Sequence, residues 1–247
     1  NAYSTIDADV NASASAGDYG VASASGIYVT AVNGNAYSYS QGIYAYATTY
    51  YMGVSLARGA TVTADGYAYE TSTGRVIVDA YSTDYGVSAA YGFDVSSATS
   101  YAYLYNGDAA YVSAESGYHG VSHAEGGRVV GPAGATTINA GHLEAYALSG
   151  DYGVSYALGS ATLSSAGSAY LYNSANTIVA VAISGYHGVS TANASIVYGA
   201  VDSTTISVGD IYAYAYSGDY GASTALGNST TAGTGYAFLS SGGDIYA

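Results

Sequence analysis

Cysteine, lysine and tryptophan are all missing from this chain, and proline occurs once, at Pro132. Without cysteine there is no disulfide framework and no thiolate metal site, which fits an export route that does not rely on disulfides. Near-absence of proline leaves extended backbone almost uninterrupted. Charged residues make up 8% of the 247 residues, where ordinary globular domains carry about a quarter. The only full-time cations, Arg58, Arg75 and Arg128, face 17 acids, for a net charge of −14. A surface of that sign repels phosphate backbones and anionic membranes, so nucleic acid is excluded as a partner. No apolar run approaches the ~20 residues of a membrane helix, so no membrane span is expected.

What is abundant is tyrosine (32 residues), glycine (34) and small side chains, within a composition that is 49% hydrophobic. That content favours strands over disorder. A glycine-centred cassette returns seven times, at Gly20, Gly53, Gly86, Gly120, Gly153, Gly188 and Gly221. The surrounding text includes TDYGVSAAYG, GYHGVSHAEG and GDYGVSYALG, and the spacing is 33 to 35 residues. A fixed period of this length signals stacked repeats, each burying its apolar face against its neighbours.

Ten residues before each anchor glycine stand Val10, Ile43, Val76, Ala110, Leu143, Ile178 and Ile211, followed at period two by small residues such as Ala45 and Ala47. This is a strand with one buried face, and these seven residues are its expected core column. The triplet at the anchor, plus two and plus four, as in Gly86, Ser88 and Ala90, is expected to face inward as well. A buried Ser there needs a carbonyl or a neighbouring Ser as partner. The competing choice puts the plus-one valines (Val54, Val87, Val121) in the core instead.

A weaker half-repeat, offset by 15 to 19 residues, appears in NAYSYSQG, SYAYLYNGD and SAYLYNSAN, with Asn106, Asn139 and Asn173 recurring as a stack of side chains. About four short strands per repeat are expected, with either one coil per 33 residues or two of 16 to 17. Glycine frequency and period-two patterning exclude helices. The fold expected is an all-β parallel solenoid of about seven 33–34-residue repeats. It runs through residues 1–247 as one continuous domain and, opening in register and closing in mid-repeat, forms a segment of something longer.

Strings such as GDIYAYAYSGDYGASTALGN and SGDYGVSYALGSATLSS resemble the low-complexity β-solenoid repeats of bacterial surface proteins, the autotransporter-passenger and filamentous-haemagglutinin type. The resemblance implies secretion to the cell surface or beyond it, a rod-like parallel β-helix, and adhesive or structural work. It covers the whole chain and rests on composition and cadence, and Ala and Tyr replace much of the usual Thr/Asn-rich strand.

Candidate chemistry is sparse. Asp18, Asp84, Asp151 and Asp219 sit two residues before alternate anchors, with Tyr51, Tyr118 and Tyr186 between them. Turn geometry and spacing of charge explain them more simply than calcium or glycan ligation does. His119 and His123 lie about 13 Å apart along a strand at ~3.3 Å per residue, too far to share a zinc ion. The three arginines look dispersed, with no clamp for an acidic sugar, and no grouping of nucleophile and base stands out. No catalytic residue, metal or cofactor is assigned, and an enzyme is not expected. Irregular threonines argue against ice binding.

Outward tyrosines are the most suggestive chemistry: Tyr44, Tyr46, Tyr101, Tyr103, Tyr105, Tyr170, Tyr172, Tyr212, Tyr214 and Tyr216 alternate with small residues as ladders up the rod. Such ladders suit contact with other copies of the chain, with carbohydrate, or with a host or cell surface. The expected function is an extracellular fibre subunit or rod-like adhesin shaft, associating with itself end to end or laterally. The alternative is a secreted β-helix that binds or cleaves polysaccharide.

Overall fold

Each 33-residue repeat makes one complete coil. The computed structural model describes residues 1–174 and 176–247, and among these there is no helix. Val121 pairs in parallel with Val154 above it and with Val87 below it, so residues one anchor spacing apart are hydrogen-bonded neighbours. The sequence alone left 33 and 16–17 residues per coil open, and this pairing decides for 33. At the ~4.8 Å spacing of adjacent strands, seven coils rise about 34 Å.

A coil contains three strands. The long one starts at the anchor, as in Val54–Ala64, Val87–Ser97, Val121–Val130, Val154–Ser164 and Val189–Gly199. A short middle strand follows (Ala68–Ser72, Tyr101–Asn106, Gly134–Asn139, Ser168–Asn173), then a closing strand (Val76–Ser82, Ala110–Glu115, Leu143–Leu148, Ile178–Ser184). The long strands stack as a seven-stranded sheet, and middle and closing strands form the other sheet, joined through Ala36–Thr49. That strand runs through two faces because Gln41 and Gly42 stand where the next coil has the three-residue corner Thr73, Gly74, Arg75. Length changes are absorbed at corners. Ser97 pairs 33 residues below with Ala64, but Ala102 pairs 34 below with Ala68, so the extra residue lies between them and strand register is kept.

Four straight segments per coil were expected; the fourth arises because the long strand is bent. In Val54–Ala64 the inward positions are Ser55 and Ala57 before the bend and Ala60, Val62 and Ala64 after it, a change of phase at Gly59. There the backbone indents toward the closing strand: a Cβ on Gly59 would lie 3.0 Å from Val78 Cγ2 and against the Gly92 carbonyl. The indentation divides the core into two lobes. One holds the small Ser/Ala triplets, and the other holds Val62, Phe93, Leu104 and Leu171.

Ile43, Val76, Ala110, Leu143, Ile178 and Ile211 form a buried vertical file, with Val10 half-buried at one end. The plus-one valines stand outside, exposed, which leaves the core to the Ser/Ala triplet. The plus-two serines from Ser55 to Ser190 each have a neighbouring hydroxyl and a carbonyl as partners, whereas Ser223 in the last coil has the hydroxyl of Ser217 alone. Ser88 Oγ lies 2.8 Å from Ser82 Oγ within its coil and donates to the Glu115 carbonyl above at 2.6 Å, and Ser122 and Ser155 repeat the arrangement. In the other lobe Asn106 Nδ2 donates to Asn139 Oδ1 at 2.8 Å, and Asn139 Nδ2 to Asn173 Oδ1 at 3.0 Å. Apart from Asn106 Oδ1, which has no partner, these buried ladders satisfy polar groups that would otherwise cost about 1–3 kcal/mol each.

Candidate functional site

At the corner before each anchor glycine the chain makes a hydrogen-bonded β-turn, with the Gly86 amide donating to the Thr83 carbonyl and the Gly120 amide to the Gly117 carbonyl. The third turn residue has positive φ in all seven coils, and it is never glycine: Tyr19, Met52, Tyr85, His119, Tyr152, His187 and Tyr220, at 54 to 59°. The anchor glycines themselves have negative φ; a Cβ on Gly86 would fall 2.6 Å from Ser82 Cβ and 3.0 Å from the Gly53 carbonyl. They are glycine for close approach, and the left-handed strain is carried by the bulky residue before them.

What that residue does in return is stack. Ring centroids of Tyr85, His119, Tyr152, His187 and Tyr220 follow one another at 5.3, 4.9, 5.3 and 5.2 Å, all within 17° of parallel. Tyr51, Tyr118 and Tyr186 meet the file edge-on, with centroids at 5.7–5.8 Å from the tyrosines of adjacent coils. The intervening aspartates cap backbone: the Tyr118 amide donates to Asp84 Oδ1 at 3.0 Å and the Tyr186 amide to Asp151 Oδ1 at 2.8 Å. The partner of each of these carboxylates is therefore a peptide N–H of the coil above.

The outward tyrosines divide between two faces and do not make one ladder. On the middle face Tyr37 stacks between Tyr3 (5.0 Å) and Tyr69 (5.2 Å), and Tyr103 continues the file at 5.7 Å, before Thr136 separates it from Tyr170. Tyr105 and Tyr172 are likewise separated by Ile138, and Tyr101 stacks on Tyr67 at 6.1 Å. On the closing face Tyr44 and Tyr46 pair with Ile77 and Asp79, far below Tyr212, Tyr214 and Tyr216. Tyr212 stacks on Tyr246 at 5.2 Å, and its phenol, donating to Asp210 Oδ2 at 2.9 Å, is pushed up to about 12.

The side of the long sheet away from the core, over the bend, is a trough, and two of the three arginines belong to it. Arg58 lies over the Tyr91 ring at 5.8 Å, and Arg128 Nη1 is 3.8 Å from Asp94 Oδ1. Tyr91, His123 and Tyr156 follow one another at 5.4 and 4.8 Å, and His123 Nε2 is 3.6 Å from Glu125 Oε2. Burial holds the Asp94 carboxyl above the usual carboxylate range, the Arg128 guanidinium offsetting part of the effect. One coil higher the trough deepens into a cavity of ≈ 430 Å³. Arg58 and Arg128 thus share one surface despite their distance along the chain, while Arg75 stands apart over the Tyr111 ring. The signal was present in the register, since Arg58, Tyr91 and Glu125 all stand five residues after an anchor, and Asp94 and Arg128 eight after.

Among the described residues no three His, Asp or Glu side chains are grouped as a metal site, and no helix is long and apolar enough to cross a membrane. Comparison with protein-family models, with curated proteins and with solved structures finds no match.

Proposed function

We propose that the chain is a stretch of structural rod, an extracellular fibre subunit or the shaft of a surface adhesin, that meets other copies of itself through its tyrosine-rich faces. The observation that carries this reading is the parallel register kept from coil to coil beneath a continuous aromatic corner. Backbone hydrogen bonds run along the rod axis and resist extension. The core files of small side chains hold the sheets close, and the outward rings of the half-buried Tyr37 and Tyr69 and the exposed Tyr101 on the middle face offer apolar area and phenol donors together. Surface-associated or secreted placement follows from the same reading, as does the absence of a catalytic role.

Electron microscopy of the purified protein over a range of concentrations tests it. Rods that align side by side are expected, and replacing Tyr37, Tyr69 and Tyr101 by Ser should abolish the alignment while leaving single rods intact. Discrete particles that never associate at any concentration would refute the reading.

A further inference from the structure

We propose that the trough over the bent strand is a binding site for a neutral saccharide, seated on coils four to six of the rod. This goes beyond the rod reading and does not depend on it.

The site exists because the bend pulls the backbone inward at Gly126 and Gly159, which makes the outer surface concave. Side chains that point away from the core are then enclosed: Glu125 is only 6% exposed, and Leu158 and Ala161 are buried although they lie on the outer side of the sheet. The cavity of ≈ 430 Å³ is within the range of small-molecule sites. Its floor is apolar, from Leu158, Ala161 and Leu163, with Ile196 closing the upper end. Its lower wall is polar, from His123, Glu125 and Arg128, and the Tyr156 ring stands at the side.

Ligand class follows from what these groups lack. Glu125, enclosed on the lower wall, has among the described residues no hydrogen-bond donor closer than His123 Nε2 at 3.6 Å, and Arg128 Nη1 beside it reaches Asp94 Oδ1 only at 3.8 Å. An enclosed carboxylate short of donors calls for a ligand that brings them. Arg58 and Arg128 balance Asp94 and Glu125, so neither an anion nor a cation gains from the net local charge. A neutral molecule rich in hydroxyls and bearing one apolar face satisfies both walls, and a pyranose ring is such a molecule. Its C–H face meets Leu158 and Ala161, its hydroxyls donate to Glu125, and Arg128 and His123 donate to its oxygens. Coils four to six span two steps of ~4.8 Å, room for two or three sugar rings laid along the axis.

Titration calorimetry with neutral oligosaccharides of glucose, mannose, galactose and N-acetylglucosamine, one to six units long, tests the site. At least one series should bind saturably, with affinity rising to two or three units and then levelling. Ala161→Phe fills the floor from the outer side of the sheet and should weaken binding about tenfold or more, and Glu125→Gln and Arg128→Gln each by about tenfold. The Arg128 side chain is about half exposed, so its variant keeps the test decisive if the phenylalanine disturbs folding. No saturable binding in any neutral series, binding confined to oligogalacturonate, or binding indifferent to both Ala161→Phe and Arg128→Gln would overturn the proposal.

Discussion

The imidazole of His119 lies 4.9 Å from the ring of Tyr152 one coil above, and 13° from parallel with it, while both residues hold a positive φ. A left-handed backbone on a bulky side chain costs on the order of 1–3 kcal/mol, and each aromatic pair returns about 0.5–1.5 kcal/mol. Every ring inside the file has two such neighbours, so stacking offsets the strain only if the file is continuous.

An inverted order of substitutions at Tyr152 follows. Tyr152→Ala keeps the strained backbone and loses contacts to His119, His187, Tyr118 and Tyr186, for a loss of about 2–4 kcal/mol. Tyr152→Gly loses the same contacts but relieves the strain, and should be more stable than the alanine variant by about 1 kcal/mol. Urea unfolding followed by circular dichroism measures the difference. Alanine more stable than glycine would show that the turn is not left-handed in solution.

The anchor glycines should reject even a methyl group. Gly86→Ala pushes a Cβ into Ser82 and toward the Gly53 carbonyl, where strand pairing leaves no room to retreat, and should cost about 1–3 kcal/mol. The same substitution at Gly17, where a Cβ would meet nothing within 4 Å, should be nearly neutral. Equal losses of thermal stability in the two variants would contradict the packing described.

Removing the middle rung of the amide ladder leaves two faults. Asn139→Ala strips the Asn106 amide of its acceptor and the Asn173 oxygen of its donor, both in the core, for a cost of about 2–4 kcal/mol. An Asn139→Ala variant that unfolds at the wild-type urea concentration would show that the ladder contributes nothing net.

Stability should depend on pH through Glu70. This residue is fully buried among middle-strand side chains, with the Ser40 hydroxyl donating to Oε1 at 3.1 Å and Oε2 without a partner. Burial raises its carboxyl from 4.5 to about 7, the Ser38 and Ser40 hydroxyls offsetting part of the effect. The folded state therefore binds the proton more tightly than the unfolded chain. The contribution is full below about pH 4.5 and is lost as pH rises through 7, roughly 3 kcal/mol in all. Asp79 and Asp94, also raised chiefly by burial, act in the same direction. Glu70→Gln should flatten most of the slope, and an unchanged slope in that variant would assign it elsewhere.

The stacked strands were readable because two periods coincide in the text: alternation along each strand, and return of the same residue type after 33 residues. Residues such as Ile43, Val76 and Ser88 announce both periods at once. The backbone conformation of the corner was not legible, for a physical reason. Local preference assigns a positive φ to glycine, yet Gly86 is needed for contact and Tyr85 takes the strain, a choice that makes sense only after the rings of other coils are in place. The bend at Gly59 was hidden because glycine is common throughout, and Ala194 occupies its place in one coil. The trough went unseen because Arg58, Tyr91 and Glu125 are far apart in the chain; only the register aligns them.

The turn residues Asp84-Tyr85 and Tyr118-His119 alternate, so a single coil is not the unit that repeats in space. Excising one coil would set an Asp turn directly upon another, with like charges facing across one strand spacing and an imidazole gone from between its phenols. Excising two would restore every vertical neighbour at the corner. At this corner, growth or shortening of the rod without change of contacts proceeds in pairs of coils, even though the backbone hydrogen bonds would accept either number.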